Sequence, residues 1–276
     1  MSDRRLTPAN DRVAAASLRG RIDAPRYVEG EAAGIDAAVV DLCAAPGGAR
    51  DRQLLAGAIV TVFDRHAGWA FVQSADDGYV GYVDQDALGP TRTPTHRVSA
   101  RATHAYERPD FKSPDRVTLS MGTRLEVSKS HGRFLETPLG FVPAAHLEPV
   151  EARADDPVAV AERLLGTPYL WGGNSAFGID CSGLVQLALA FCGVPCPGDS
   201  DMQERALGET LAPGAPVRRG DLLFWKGHVA WVSAPDMLLH ANVHHMAVAY
   251  EPLKAAIARI AAQGDGAVTR RARLSR

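Results

Sequence analysis

The sequence predicts an α+β domain at its C-terminal end, preceded by two small all-β modules. Short runs of β-branched and aromatic residues, separated by turn residues, recur between residues 31 and 150. The second half of that stretch repeats the spacing of the first, and helical apolar patterns then alternate with buried strands. We expect an N-terminal arm at 1–30, β modules at 31–90 and 96–150, and the α+β domain at 155–276.

The first β module contains three runs that are typical of strands, at residues 58–63, 69–72 and 79–83. Turn residues separate these runs, as a small barrel requires. The arm before them is polar and alanine-rich, and Pro8 and Pro25 interrupt any helix there. We therefore expect an arm or a short packing segment followed by a small barrel.

The second β module repeats the plan of the first. Gly57 precedes a strand-like run, and Gly122 precedes a similar one. A glycine and a leucine stand at the two ends of 81–88 and again at the two ends of 140–147, which are segments of equal length. These matches predict two related modules.

Composition excludes several classes of function. The chain has 276 residues, of which 46% are hydrophobic and 22% charged, with a formal net charge of −2, so a polyanion-binding surface is not expected and neither is a nucleic-acid partner. The N-terminus has no apolar region suited to a signal peptide, and no stretch approaches a membrane span. We expect a cytoplasmic protein with no membrane partner, and leave its oligomeric state open.

The four cysteines, Cys43, Cys181, Cys192 and Cys196, are too few and too irregular for a disulfide framework. Cys192 and Cys196 lack further ligands nearby and are interpreted as structural. No metal and no cofactor is predicted.

Cys181 stands between a glycine-rich loop and an apolar helix. Backbone N–H groups and the positive end of the helix dipole favour a thiolate at such a position, so we expect a lowered pKa and a nucleophile. A buried, purely structural cysteine is the alternative. Two further helices are predicted, at 158–165 with Asp155 or Asp156 as N-cap, and at 253–262.

Two histidines follow on predicted strands. His228 begins a strand after a Lys-Gly turn, and His240 lies on the next one. A nucleophile, a base and a group that orients the base are what thiol catalysis requires, which suits Cys181, His228 and His240 in that order. Packed histidines are the alternative, and His240 with His244 would suit a metal only if this stretch were helical, whereas it is predicted as strand and turn.

The motifs that carry this pattern resemble those of the NlpC-type papain-like cysteine peptidases of bacterial cell-wall metabolism. They are TPYLWGG at 167–173, DCSGLV at 180–185, RGDL at 219–222 and GHV at 227–229. The two β modules each resemble a bacterial SH3-like barrel. The resemblance implies a papain-like α+β catalytic domain preceded by two SH3-like barrels.

The resemblance also implies roles for residues around the thiol. Tyr169 would help the Cys181 backbone N–H to hold the oxyanion, and Trp171 is expected to shape the cleft. Asp199 and Ser200 would bind the free amino group of an N-terminal L-alanine, although a helix N-cap is an equal interpretation of Asp199. A tyrosine of the first barrel, Tyr79 or Tyr82, would contribute to the same pocket.

The resemblance thus implies a cysteine endopeptidase that recycles small murein peptides, with a nucleophile and a base that the residues themselves predict. It would cut after γ-linked D-glutamate and before a diamino acid such as meso-diaminopimelate. An amidase or acyl transferase with the same thiol chemistry is one alternative, and an inactive protein that binds wall fragments is the other.

Overall fold

The computed structural model describes residues 3–264 and 266–274, which form two compact units. The first unit is Met1–Glu151 and the second is Ala152–Arg276. The division falls between the predicted second β module at 96–150 and the predicted α+β domain at 155–276. Each unit is described separately below.

The N-terminal arm packs on the first β module. It contains β1 (Ala14–Ala15) and β2 (Tyr27–Val28), which pair in parallel, and 3₁₀ turns at Arg4–Leu6 and Ala16–Leu18. Apolar residues of the arm share one buried cluster with the first module, namely Val13, Ala14, Ala15 and Leu18 with Phe63, Phe71 and Val80. The arm is therefore a packing segment.

The first β module is one seven-stranded antiparallel sheet in the order β5-β4-β8-β7-β6-β3-β9. Its strands are β3 (Glu31–Ile35), β4 (Val39–Cys43), β5 (Arg50–Leu55), β6 (Ile59–His66), β7 (Trp69–Ser74), β8 (Val80–Asp84) and β9 (Leu88–Gly89). A 3₁₀ turn at Gln85–Ala87 joins the last two.

The second β module forms two sheets, β13-β10-β17 and β12-β11-β16-β15-β14. Its strands are β10 (His96–Val98), β11 (Ala102–Tyr106), β12 (Asp115–Ser120), β13 (Arg124–Leu125), β14 (Lys129–His131), β15 (Phe134–Thr137), β16 (Gly140–Pro143) and β17 (Leu147–Pro149). A 3₁₀ turn at Ala144–His146 joins β16 to β17.

The two modules share a local plan at the predicted repeat. In both, a strand, a 3₁₀ turn and a short strand follow one another, as β8 and β9 do in the first module and β16 and β17 in the second. Gly57 and Gly122 both have positive φ angles, of 81° and 90°, which favour glycine. These equivalences support the predicted repeat, and a barrel fold for each module stays a prediction.

The two tyrosines considered for substrate binding lie in the first module. Tyr79 is buried, with the Arg52 guanidinium over its ring, and the Tyr82 hydroxyl accepts a hydrogen bond from Asn10. The expectation that one of them contacts substrate stays a prediction.

The second unit is built on a six-stranded antiparallel sheet in the order β20-β25-β21-β22-β23-β24. The strands are β20 (Glu209–Thr210), β21 (Asp221–Trp225), β22 (His228–Ala234), β23 (Met237–Asn242), β24 (Ala247–Pro252) and β25 (Arg270–Arg273), with a separate hairpin of β18 (Asn174–Ser175) and β19 (Gly178–Ile179). The helices are α1 (Pro157–Glu162), α2 (Cys181–Phe191), α3 (Ser200–Ala206) and α4 (Leu253–Ala262).

The first predicted helix is shorter in the structure, where it ends at Glu162 rather than at residue 165. Its N-cap is Asp156, one of the two predicted candidates, whose side chain accepts from the Val158 N–H. The chain then turns through Gly166, whose φ of 77° favours glycine. The predicted helices at α2 and α4 are present.

Helix α2 begins at a tightly packed loop because Asp180 caps it. Asp180 Oδ1 accepts hydrogen bonds from the Gly183 N–H (2.7 Å) and the Ser182 hydroxyl (2.9 Å). Its Oδ2 accepts from the Gly172 N–H at 3.0 Å, which ties the glycine-rich loop to the helix. A Cβ on Gly183 would lie 2.4 Å from the Gly173 carbonyl oxygen, so only glycine allows this approach.

Helices long and apolar enough to cross a membrane are absent from residues 3–264 and 266–274.

We predict that Asp180→Ala lowers the free energy of unfolding by about 1–2 kcal/mol, because a side-chain N-cap of α2 is lost. Urea unfolding followed by circular dichroism measures the change. The matched control is Asp201→Ala, which removes an exposed ion pair with Arg205 within α3 and should cost less than about 0.5 kcal/mol. An equal loss in the two variants would contradict the importance of the cap.

Candidate active site

Cys181 is the first residue of α2, and its thiol faces strand β22. The residue is buried, with 7% of its surface exposed. The thiol lies by the backbone N–H groups of Val229 and Ser182, which favour its ionised form. Val229 follows His228 directly in β22, so the helix start and the histidine strand meet here.

The expected lowering of the Cys181 pKa is wrong for this structure. Burial of the sulfur raises the pKa of the thiol to about 12, and the neighbouring Asp180 carboxylate adds to that increase. The backbone N–H groups act in the opposite direction but are outweighed. The sequence pattern identified the favourable helix terminus but could not reveal how completely the sulfur is removed from water.

His228 and His240 contact each other across neighbouring strands. His228 Nε2 lies 2.8 Å from His240 Nδ1, and the two ring centroids are 5.1 Å apart. The Gly227 turn, with φ of 76°, places His228 at the start of β22. His240 is fully buried in β23, whereas His228 is partly buried.

Sequence reasoning missed the two residues that continue this contact. His240 Nε2 lies 3.0 Å from Glu251 Oε2, and Arg259 donates to both carboxylate oxygens of Glu251 at 2.8 and 2.7 Å. His240 pairs with Ala249 in the β23–β24 ladder, so Glu251 is its diagonal neighbour on the same face. No local sequence signal indicates this pair, because strand register and the packing of α4 bring the two side chains together.

Burial holds both imidazoles in the neutral form. It lowers the pKa of His228 to about 3, and the charges of the neighbouring His240 and Arg259 lower that pKa further. It lowers the pKa of His240 to about 4, although Glu251 opposes the shift. The Arg259 hydrogen bonds lower the pKa of Glu251 to about 2, so this carboxyl is ionised.

Tyr169 lies near the thiol and Trp171 faces solvent. Burial raises the pKa of the Tyr169 hydroxyl, and the next largest cause is the Cys181 thiolate charge, which places the two groups close together. The Tyr169 N–H donates to the Met246 carbonyl at 2.8 Å, which fixes the loop against the turn after β23. Trp171 has 70% of its surface exposed, so it is available at the surface of this loop.

Asp199 and Ser200 begin helix α3, which is joined to α2. Asp199 occupies the N-cap position, but its side chain accepts no cap hydrogen bond, so the alternative of a capping carboxylate is not supported. The buried Gln203 donates from Nε2 to the carbonyl oxygen of Ser182 at 2.9 Å. Gln203 therefore links α3 to the residue that follows Cys181.

His244 and His245 lie on an exposed turn between β23 and β24. This stretch is not helical, so His240 and His244 do not share a helix face. Within the part of the chain that is described, no group of three or more His, Cys, Asp or Glu side chains is placed to hold a metal ion.

The Arg-Gly-Asp motif before β21 has a structural role. The buried Asp221 accepts hydrogen bonds from Arg273 at 2.8 and 2.7 Å, which fixes β25 beside β21. Arg219 contacts Asp156 and Glu162 of the first helix segment. The motif thus anchors the strand that leads to His228.

We predict that Cys181 is alkylated slowly by iodoacetamide at pH 7, and that the rate rises about tenfold per pH unit above pH 8, because the thiolate is the reactive form. Mass spectrometry of the Cys181 peptide measures the rate, and the Cys181→Ser variant identifies its signal. A rapid rate that is already constant below pH 7 would show instead that the thiol is ionised.

We predict that the free energy of unfolding falls as pH decreases from 7 to 5. The folded-state pKa of His240 is lowered, so its stabilising contribution is complete above the unfolded value near 6.5 and is lost as pH falls toward about 4. Between pH 7 and 5 the free energy of unfolding of His240→Gln should fall by about 1–2 kcal/mol less than that of the wild type. Urea unfolding at pH 7, 6 and 5 measures both. Parallel pH profiles for the two proteins would contradict the assignment.

Two parts of the chain match known families. Residues 42–88 match the bacterial dipeptidyl-peptidase SH3 domain family, and residues 166–261 match the NlpC/P60 family. The second match contains Cys181, His228, His240 and Glu251.

Similar proteins include two peptidases of Bacillus species. Gamma-D-glutamyl-L-lysine dipeptidyl-peptidase of Bacillus cereus is 26% identical over 244 residues, which cover 74% of this chain and 70% of that protein. The protein of the same name from Bacillus subtilis is 33% identical over 160 residues, which cover 54% of this chain and 52% of that protein. These are what the chain is similar to.

A solved structure of an NlpC/P60 family protein from Bacillus cereus has the same fold. It matches with a TM-score of 0.69 at 23% identity and covers 81% of this chain and 94% of that one. The papain-like fold of the second unit and an SH3-like domain in the first are thereby supported. The chain therefore contains an NlpC/P60 domain at residues 166–261 and an SH3-like domain in its N-terminal unit, and it is a hydrolase of the peptidase class.

Proposed function

We propose that the protein is a cysteine endopeptidase that cleaves the γ-D-glutamyl bond to a diamino acid in small murein peptides. The observation that carries the proposal is the hydrogen bond between His228 and His240, because His228 begins β22, the strand that the Cys181 thiol faces. A buried thiol that faces the strand carrying a neutral, oriented imidazole is a suitable arrangement for thiol-dependent acyl transfer. The names of the Bacillus relatives supply the class of bond.

Cys181 is the proposed nucleophile and His228 the general base. Both groups are neutral at rest, because burial raises the pKa of the thiol and lowers that of the imidazole. The thiol proton therefore moves to His228 as the sulfur attacks the scissile carbonyl, and His228 later gives that proton to the leaving amine. His240 is the orienting group, since its hydrogen bond fixes the ring of His228.

The oxyanion of the tetrahedral intermediate needs donors beside the sulfur. The backbone N–H of Cys181 at the start of α2 is one, and the Tyr169 hydroxyl is the other. Burial raises the pKa of that hydroxyl, so it keeps its proton and can donate it in a hydrogen bond. Trp171 is proposed to shape the same end of the cleft.

Asp199 and Ser200 are proposed to bind the free amino group of an N-terminal L-alanine. Both are partly buried at the start of α3, and Gln203 joins that helix to Ser182 beside the nucleophile. A carboxylate shielded in part from water attracts an ammonium group well. Recognition of a free amine would favour soluble peptide fragments over intact wall, which is why we propose a recycling role and a cytoplasmic location.

We predict that the wild type hydrolyses L-Ala-γ-D-Glu-meso-diaminopimelate, and that Cys181→Ala lowers kcat/KM by at least about 10³-fold because the nucleophile is lost. Chromatography of the released diamino acid measures the reaction. Cys192→Ala is the matched control, since it removes a partly exposed cysteine at the C-terminal end of the same helix and should leave the rate unchanged.

Two further peptides test the specificity. The N-acetylated peptide should be cleaved at least tenfold more slowly, and Asp199→Asn should reduce cleavage of the free peptide to a similar degree. The analogue with L-lysine in place of meso-diaminopimelate tests which diamino acid is accepted after the scissile bond. Equal cleavage of free and acetylated peptides would overturn the amine pocket, and transfer to an added amine without hydrolysis would favour an acyl transferase.

A further inference from the structure

The contact between the two histidines is part of a longer buried chain of hydrogen bonds. It runs from His228 through His240 and Glu251 to Arg259, with successive N to N or N to O distances of 2.8, 3.0 and 2.7 Å. Glu251 lies in β24 with 6% of its surface exposed, and Arg259 lies on α4. The hydrogen-bonded route from these two residues to His228 passes through His240.

The charge of Glu251 determines which nitrogen of His240 carries a hydrogen. Arg259 donates to both carboxylate oxygens, Nε to Oε1 and Nη2 to Oε2. A carboxylate held by a guanidinium is ionised and can only accept hydrogen bonds. The nitrogen of His240 that faces Glu251, which is Nε2, must therefore carry a hydrogen.

The neutrality of His240 determines which ring donates the hydrogen bond between His228 and His240. The ring is fully buried, and a neutral imidazole has one N–H and one bare nitrogen. Because Nε2 carries the hydrogen, Nδ1 is bare and accepts. His228 Nε2, at 2.8 Å from that atom, must then be the donor.

We propose that Glu251 and Arg259 are positioning residues that set the tautomer of His228, so that Nδ1 is its bare and basic nitrogen. The inference rests on the proposed role of His228 as general base. The charged and titratable groups that act on the two rings are Glu251, Arg259 and His245, together with the partner ring. Glu251 is the one among them that accepts a hydrogen bond from His240.

The proton balance of the acylation half of the reaction, which ends with the acyl group on Cys181, agrees with this order. The S–H bond of Cys181 breaks, its proton binds His228 Nδ1, and an S–C bond forms to the substrate carbonyl. The imidazolium of His228 keeps the hydrogen on Nε2, which donates a hydrogen bond to His240 Nδ1. The Nδ1 proton then goes to the leaving amine as the C–N bond breaks, so no proton moves to Glu251.

Glu251→Gln tests the proposal because it changes the direction of the hydrogen bonds with little change in shape. The glutamine amide can donate to His240 Nε2, which allows Nδ1–H on His240 and Nδ1–H on His228. The base would then present a hydrogen to the thiol rather than a lone pair. Arg259→Lys is the conservative control, because it keeps a cation beside an ionised Glu251.

The primary readout is independent of activity. Long-range ¹⁵N–¹H spectra of the full chain with labelled histidine, at pH 7, should show Nε2–H and bare Nδ1 for both rings, assigned with His228→Gln and His240→Gln. Glu251→Gln should convert a substantial fraction of His228 to the Nδ1–H form, and Arg259→Lys should keep the wild-type pattern. A wild-type His228 that carries Nδ1–H, or an unchanged pattern in Glu251→Gln, would overturn the proposal.

The second readout is turnover of the free peptide. Glu251→Gln should reduce kcat by roughly 10²–10⁴-fold with KM changed less than about threefold, as expected when a base has the wrong tautomer. Glu162→Gln is the matched control, since it alters another glutamate held by an arginine in the same unit and should leave kcat within twofold. A wild type without activity but with the expected tautomers would reject the proposed function and keep this inference.

Discussion

The register of the antiparallel strands β22, β23 and β24 is the constraint on which the site depends. It pairs His240 with Ala249 and thereby places Glu251 diagonally beside His240 on the face that α4 covers. Leu238, which pairs with Glu251, belongs to the buried cluster that includes Ala256 and Ile260 of α4. A shift of one residue would move these side chains to the opposite face, so the apolar core and the polar chain are specified together.

The second constraint is the start of α2. The three hydrogen bonds accepted by Asp180 hold the glycine-rich loop, the Ser182 hydroxyl and the helix N-terminus in one arrangement. The same carboxylate raises the pKa of the Cys181 thiol, although burial is the larger cause. The residue that positions the sulfur thus also helps to keep it protonated, so in the proposed mechanism His228 must remove the thiol proton.

In the proposed mechanism, burial sets the direction of proton transfer from the thiol to the imidazole. The pKa of each histidine is lowered and that of the thiol is raised, so all three groups are neutral before reaction. The charges next to the two rings include the Glu251–Arg259 pair, whose opposite signs compensate one another. If His228 is the base, as proposed, this fixed ion pair means that little reorganisation is required when positive charge develops on its ring.

Local patterns in the sequence by themselves determined the helix after Cys181, the hairpin that carries His228 and the strand that carries His240, because apolar periodicity and turn glycines act over a few residues. The motifs at 167–173, 180–185, 219–222 and 227–229 were sufficient to indicate the family. Tertiary structure alone decided the direction of the Cys181 pKa shift, since the backbone amides and the burial of the sulfur compete. It also decided that Glu251 and Arg259 hydrogen-bond in series with His240. Strand register and helix packing bring these residues together, although their separation in sequence follows no local period.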